Sequence, residues 1–131
     1  MYRWVEHTAE LGLEIEAPTE AGVFEEAVAA LRELIGGEPD GEEETAHELS
    51  VEAGDRPALL AAWIEELVFV AERDDAVPER VEGLELREGG LSATVVARAG
   101  RVRHLVKAVT YHELSFERSG HGWRAYAVLD V

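Results

Sequence analysis

Residues 106–114 carry three side chains that can take part in acid–base or electrostatic chemistry: Lys107, Tyr111 and His112. The segment is rich in β-branched and aromatic residues and contains neither Gly nor Pro, which predicts a β-strand. Because side chains alternate along a strand, Lys107 and Tyr111 are expected on one face and His112 on the other. A strand with such groups on both faces indicates a role beyond packing.

Carboxylates at the two ends of the chain form a second candidate group. Four glutamates lie near its start: Glu6, Glu10, Glu14 and Glu16. Asp130 and the terminal carboxylate of Val131 lie at its end. Hard divalent cations such as calcium and magnesium prefer several oxygen ligands. Glu10, Asp130 and Val131 would supply them if the terminal strand pairs near the first, and otherwise these carboxylates form a solvated acidic edge.

The histidines allow two interpretations. None of the five has a second histidine at ligand spacing, such as four residues further along a helix, so His7 and His112 are expected to be hydrogen-bonded structural residues. An enzyme would instead use one of them as a base, with Lys107 as the electrophile. Glu10 or Asp130 would then orient the base. The sequence contains no nucleophile elbow, P-loop or dinucleotide-binding motif, so these residues indicate no particular reaction.

The charge balance restricts the possible partners. The 131 residues include 28 Asp and Glu against 12 Lys and Arg, for a formal net charge of −16. Direct, tight nucleic-acid binding is disfavoured, because it depends on cationic side chains that neutralise phosphates. The same charge favours cations, or a basic protein partner approached by electrostatic steering, and alternatively it serves only solubility.

Composition also bounds the class of protein. The hydrophobic share of 47% is ordinary for a globular protein, and a single domain over residues 1–131 is expected. The absence of cysteine excludes disulfides, thiolate catalysis and Cys-based zinc sites. Neither a signal peptide nor a membrane-spanning apolar run is visible, so a soluble, cytoplasmic protein without membrane contact is the default expectation.

Apolar periodicity predicts two helices and seven strands. Thr19 and Asp55 are the expected N-caps of the helices, which end near residues 36 and 75. Strands are predicted over residues 2–5, 10–17, 47–53, 81–87, 91–98, 105–117 and 123–131, with a loop over 38–45 and a turn over 100–104. The order β-β-α-β-α-β-β-β-β predicts an α+β fold, with two helices packed on a largely antiparallel or mixed β-sheet.

Four stretches of the chain match the motifs of one family in the same order. They are His-Thr-Ala-Glu-Leu-Gly at residues 7–12, Trp-Ile-Glu-Glu-Leu at 63–67, Val-Lys-Ala-Val-Thr-Tyr-His at 106–112 and Leu-Asp-Val at 129–131. With these motifs the chain closely resembles the archease family, over essentially its whole length. The resemblance implies an archease-like α+β fold, in agreement with the element order.

The resemblance also implies a protein cofactor and not an enzyme. Archeases assist the GTP-dependent RNA ligase of tRNA splicing and RNA repair, by promoting its guanylylation and its repeated turnover. Family members bind a divalent cation, calcium in crystals, through positions that correspond here to Glu10, Asp130 and Val131. The family motif usually has Asp where this chain has Glu10, which leaves the identity and affinity of the ion open. Glu6 also stands where the family often has Asp.

Three further side chains are candidates for a shell around these ligands or for contact with the partner: His7, Lys107 and His112. Two alternatives to the ligase cofactor stay open. One is a small metal-dependent enzyme acting on phosphoesters or nucleotides. The other is a general chaperone of RNA-modifying enzymes such as tRNA methyltransferases.

Overall fold

Residues 1–36, 43–103 and 106–131 are described in a computed structural model of the chain. Its strands are β1 (Tyr2–His7), β2 (Glu10–Ala17), β3 (Glu44–Glu52), β4 (Ala76–Arg87), β5 (Gly90–Ala99), β6 (Ala108–Ser119) and β7 (Gly122–Asp130). Helix α1 (Glu20–Ile35) follows β2, and helix α2 (Arg56–Asp74) follows β3. This order of elements agrees with the predicted one.

The strands form two antiparallel sheets. The first has the strand order β1-β2-β7-β6, and the second has the order β3-β5-β4. Every pairing within these sheets is antiparallel. Each helix contacts strands of both sheets. The predicted α+β class is confirmed, and the structure adds that the strands divide between two sheets.

Both helices begin at the predicted N-caps. The Thr19 hydroxyl group accepts a hydrogen bond from Gly22 N at 3.0 Å, and Asp55 Oδ1 accepts one from Ala58 N at 2.8 Å. These bonds satisfy backbone donors that the first helical turn leaves unpaired. Asp75 ends α2 in the left-handed conformation, with φ 46°. Within the described residues, neither helix is both long and apolar enough to cross a membrane.

The two helices and both sheets share one hydrophobic core. It includes Leu13 of β2, Leu91 of β5 and Leu129 of β7, all with no measurable exposure. At its centre the Trp63 indole of α2 donates a hydrogen bond from Nε1 to the Phe24 carbonyl of α1 at 3.0 Å. A buried tryptophan whose N–H is satisfied combines a large apolar contact with a fixed orientation. This contact therefore sets how the helices lie against each other.

Several boundaries differ from the predicted ones. β1 continues to His7, and β6 begins at Ala108 instead of residue 105. β4 already begins at Ala76 and contains Pro78, which lies at a register shift on an edge strand, where a missing N–H is tolerated. The predicted loop over 38–45 and turn over 100–104 lie partly outside the described residues.

Replacing Trp63 with Phe should lower the free energy of unfolding by about 1–3 kcal/mol, because it removes the Nε1 donor and part of a fully buried ring. Trp4→Phe is the matched control. Trp4 Nε1 is buried without a hydrogen-bond partner in the described structure, so its loss should cost less. Urea unfolding measures both variants, and equal losses would contradict the role given to the Trp63–Phe24 hydrogen bond.

Candidate functional site

A row of residues crosses the first sheet near one end of its strands. The pairing of β1 with β2 puts His7 opposite Glu10. The pairing of β2 with β7 puts Glu10 opposite Asp130, and β6 adds Ala108 on the far side of Asp130. The second and the last strands of the sequence, β2 and β7, thus meet at Glu10 and Asp130, which the acidic residues alone could only suggest. These four residues are called the acidic row below.

The two carboxylates of the acidic row lie on the outer face of the sheet. Leu13 of β2 and Leu129 of β7 are buried in the core. Because side chains alternate along each strand, Glu10 and Asp130 point to the opposite face. Directly opposed residues on antiparallel strands have Cβ atoms about 4.5–5.5 Å apart. Both carboxylates are therefore close enough to bind one cation.

A two-residue turn fixes the position of the acidic row. Thr8 and Ala9 join β1 to β2, and Ala9 adopts the left-handed conformation with φ 60°. In a hairpin, the length and type of the turn fix the register of the two strands. The ladder therefore continues beyond the predicted strand 2–5, as far as His7 and Glu10.

Arginines neutralise the other two glutamates on this face of β2. Arg3 Nη2 lies 2.6 Å from Glu14 Oε2, and Arg124 Nη2 lies 2.7 Å from Glu16 Oε1. The carboxylates of the acidic row form no ion pair with any described residue. Negative charge on the outer face is thus compensated at one end of β2 and uncompensated at the other.

Tyr126, which no sequence motif singled out, borders the acidic row. The Tyr126 hydroxyl group lies directly over Gly12, where the β-carbon of any other residue would collide with it. The same oxygen lies 3.3 Å from His7 Nε2. Burial raises the pKa of Tyr126, and the negative charges of neighbouring glutamates, Glu113 foremost, raise it further. In the sequence, Gly12 was the one indication of this contact, because a glycine inside a strand often marks a place where another group approaches the backbone closely.

Lys107 adjoins the acidic row through its backbone. Its N–H donates a hydrogen bond of 2.8 Å to the Asp130 carbonyl. The residue is exposed, and it lines a groove between residues 106–109 and helix α2. The structure therefore places Lys107 next to Asp130, one residue before β6 begins.

His112 lies in an irregular stretch of β6. The register of β6 against β7 shifts between Thr110 and Ser115, and Glu113 within this stretch has a positive φ of 59°. The side chain of His112 is 75% exposed, and Tyr111 is 68% exposed. The predicted alternation between two faces does not extend through this stretch, because the irregular residues leave the regular ladder.

The oxygen donors near the acidic row suit a hard divalent cation, which prefers carboxylate and other oxygen ligands. On the same face of β6, Thr110 Oγ1 is buried without a hydrogen-bond partner among the described atoms. Val131 packs against the core and so holds the end of the last strand beside Asp130. In the part of the chain that the structure describes, no three His, Cys, Asp or Glu side chains form a metal-binding group. A complete site therefore needs ligands besides Glu10 and Asp130.

Comparison with known proteins identifies the family. The sequence matches the Archease protein family over residues 2–131. The chain belongs to the archease family. Protein archease of Methanosarcina acetivorans is 32% identical over 139 residues, which cover 99% of this chain and 95% of that protein. Protein archease of Methanopyrus kandleri is 36% identical over 135 residues, which cover 97% and 96%. The resemblance seen in the sequence motifs is thus confirmed.

Solved structures share the fold of this archease family member. The solution structure of Methanobacterium thermoautotrophicum protein 1598 has a TM-score of 0.72 and 25% identity, and covers 99% of this chain and 98% of that one. The crystal structure of a Thermotoga maritima archease, described as a possible chaperone, has a TM-score of 0.71 and 24% identity, with 100% and 98% covered. Both structures support the α+β arrangement of the helices and sheets.

Replacing Gly12 with Ala should displace the Tyr126 ring from its position beside His7. Because the added methyl group would meet the far end of the half-buried Tyr126 side chain, the ring must swing away, and we expect the free energy of unfolding to fall by about 1 kcal/mol. Gly54→Ala is the matched control, since no atom lies within 4 Å of the position that its β-carbon would take. Urea unfolding gives the stabilities, and NMR of the His7 ring reports the lost contact. A Gly12→Ala variant as stable as the control would contradict this packing.

Proposed function

We propose that this protein is a protein cofactor that activates a GTP-dependent RNA ligase in tRNA splicing and RNA repair. It would promote guanylylation of the ligase and allow repeated turnover, without being an enzyme itself. Membership of the archease family supports this role, because assistance to this ligase is the activity that resemblance to archeases implies. The observation that carries the proposal is the uncompensated pair of opposed carboxylates, Glu10 and Asp130.

In this proposal a divalent cation is held by Glu10, Asp130 and Val131, with Val131 contributing its terminal carboxylate or backbone oxygen. The family resemblance implies calcium as the ion found in crystals. A bound cation would supply the positive charge that arginines supply to Glu14 and Glu16. Glu10 has one methylene more than the Asp usual in the family, so its carboxylate reaches further from β2 towards an ion beside Asp130.

The net charge of −16 favours a basic protein surface as the partner of the acidic row. An RNA ligase must have such a surface, because binding RNA requires cationic groups that neutralise phosphates. The cofactor would therefore contact the ligase and not the RNA. We also propose that it works in the cytoplasm. His7 belongs to the acidic row and Lys107 adjoins it through its backbone, whereas His112 lies in the irregular stretch of β6. We assign these three residues to contacts with the ion's shell or with the ligase.

The direct test is a ligase guanylylation assay with Glu10→Gln and Asp130→Asn. Both substitutions keep the side-chain shape and remove one negatively charged ligand. We expect each to lower the rate of guanylylation at least about tenfold, in line with losses measured at metal sites. Transfer of labelled GMP from GTP to the ligase gives the rate. Calorimetry on the protein without ligase should show a parallel loss of calcium affinity.

Glu48→Gln is the matched control, because it makes the same chemical change at an exposed position of β3 in the second sheet. It should keep both calcium binding and stimulation of the ligase. The protein alone should turn over no phosphoester or nucleotide substrate. Undiminished stimulation by both Glu10→Gln and Asp130→Asn would contradict the proposal.

A further inference from the structure

A groove of about 300 Å³ runs between helix α2 and the segment that leads into β6. Residues 65–72 of α2 form one wall, and residues 106–109 form the other. Its lining consists of Glu65, Val68, Phe69, Glu72, Val106, Lys107, Ala108 and Val109. We refer to it as the α2 groove. Because Lys107 N is bonded to the Asp130 carbonyl, the α2 groove adjoins the acidic row.

The floor of the α2 groove is apolar. Val68, Val106 and Val109 are 5–6% exposed, so their methyl groups form the packed base. Phe69 stands at the rim with 55% of its surface exposed, although most large apolar side chains of the chain are buried. An exposed aromatic ring beside an apolar depression is typical of an interaction site.

Carboxylates line the same wall as Phe69. Glu65 and Glu72 are seven residues apart on α2, which places them on one face of the helix. Glu72 Oε1 is inaccessible to solvent and has no hydrogen-bond partner in the part of the chain described. A buried carboxylate oxygen without a donor is costly, so turning the Glu72 side chain towards a cationic donor in the groove would be favourable. With Lys107 on the facing wall, the lining residues have a formal net charge of −1, and Arg73 beside Phe69 is paired with Asp74.

We propose that the α2 groove binds an arginine side chain of the partner protein. The aliphatic stem would lie on the valines, and the guanidinium plane would stack on the face of Phe69 away from the protein's own Arg73, whose Cζ lies 5.4 Å from the ring centroid. The N–H groups of the bound guanidinium would donate to Glu72 and Glu65. A second copy of this chain is a poor occupant, because two molecules of charge −16 repel each other. A basic partner surface satisfies both the apolar floor and the charged wall. The identity of the partner as the RNA ligase rests on the proposed function.

The first arm of the test does not involve the ligase. Backbone amide signals of the full chain are followed by NMR during titration with N-acetyl-arginine methylamide, and with the neutral citrulline analogue as the matched probe. We expect the arginine probe to shift amides of residues 65–72 and 106–109, and the citrulline probe to shift them less at equal concentration. Equal effects of both probes, or shifts spread over the whole acidic surface, would overturn the proposal.

Substitutions in the α2 groove test whether the arginine probe binds there. Glu72→Gln should weaken binding of the arginine probe about two- to fivefold, the range of a partly exposed ion pair. Phe69→Ala should weaken it as well without unfolding the protein, since most of the ring is exposed. Glu25→Gln, on the exposed side of α1, is the matched control and should bind like the wild type. Wild-type binding by both Glu72→Gln and Phe69→Ala would overturn the proposal.

The second arm measures the dissociation constant for the purified RNA ligase. We expect Phe69→Ala to raise it at least about fivefold, as for an aromatic residue central to an interface. If the wild type does not bind the ligase while the arginine probe still binds the groove, the proposed function fails and the arginine site stands. If the ligase binds wild type and both groove variants equally, the groove is not part of that interface and the proposal is overturned.

Discussion

The antiparallel pairing of β2 with β7 organises the first sheet and sets the position of the acidic row. Its register runs without interruption from Glu10 opposite Asp130 to Ala17 opposite Trp123. A slip of one strand by a single residue would turn all its side chains to the other face. The register that buries Leu13 is therefore also the register that sets two carboxylates side by side on the outer face.

The two faces of the first sheet have different energetic roles. On the inner face, burial of each large apolar side chain such as Leu13 or Leu129 stabilises the fold by about 1.5–3 kcal/mol. On the outer face, exposed ion pairs such as Arg3–Glu14 contribute much less. The core thus fixes the strands firmly enough to hold Glu10 beside Asp130 despite their mutual repulsion. At this end of the sheet, the described residues leave the negative charges of Glu10 and Asp130 without an ion-pair partner.

Local patterns in the sequence predict most of the elements, because helix caps and apolar alternation are short-range signals. Thr19 and Asp55 begin their helices as predicted, with side-chain oxygens bonded to backbone donors. The irregular stretch of β6 was not predictable from the sequence. Glu113 has a positive φ there, a conformation that is usually indicated by a glycine. The alternation of apolar residues also does not show which strands pair. Predicting that Glu10 lies beside Asp130 therefore required either the family resemblance or the structure. The position of Tyr126 over Gly12 likewise depends on pairing between distant strands.

The pairing of β2 with β7 brings Glu10 beside Asp130, and we propose that these two carboxylates bind a cation. The most direct measurement is anomalous diffraction from crystals of the protein grown with manganese chloride. We predict an anomalous peak on the outer face of the first sheet, within about 2.0–2.6 Å of carboxylate oxygens from both residues. The peak should disappear in crystals of Asp130→Asn. If wild-type crystals saturated with manganese show no peak between Glu10 and Asp130, these two carboxylates do not form the proposed cation site.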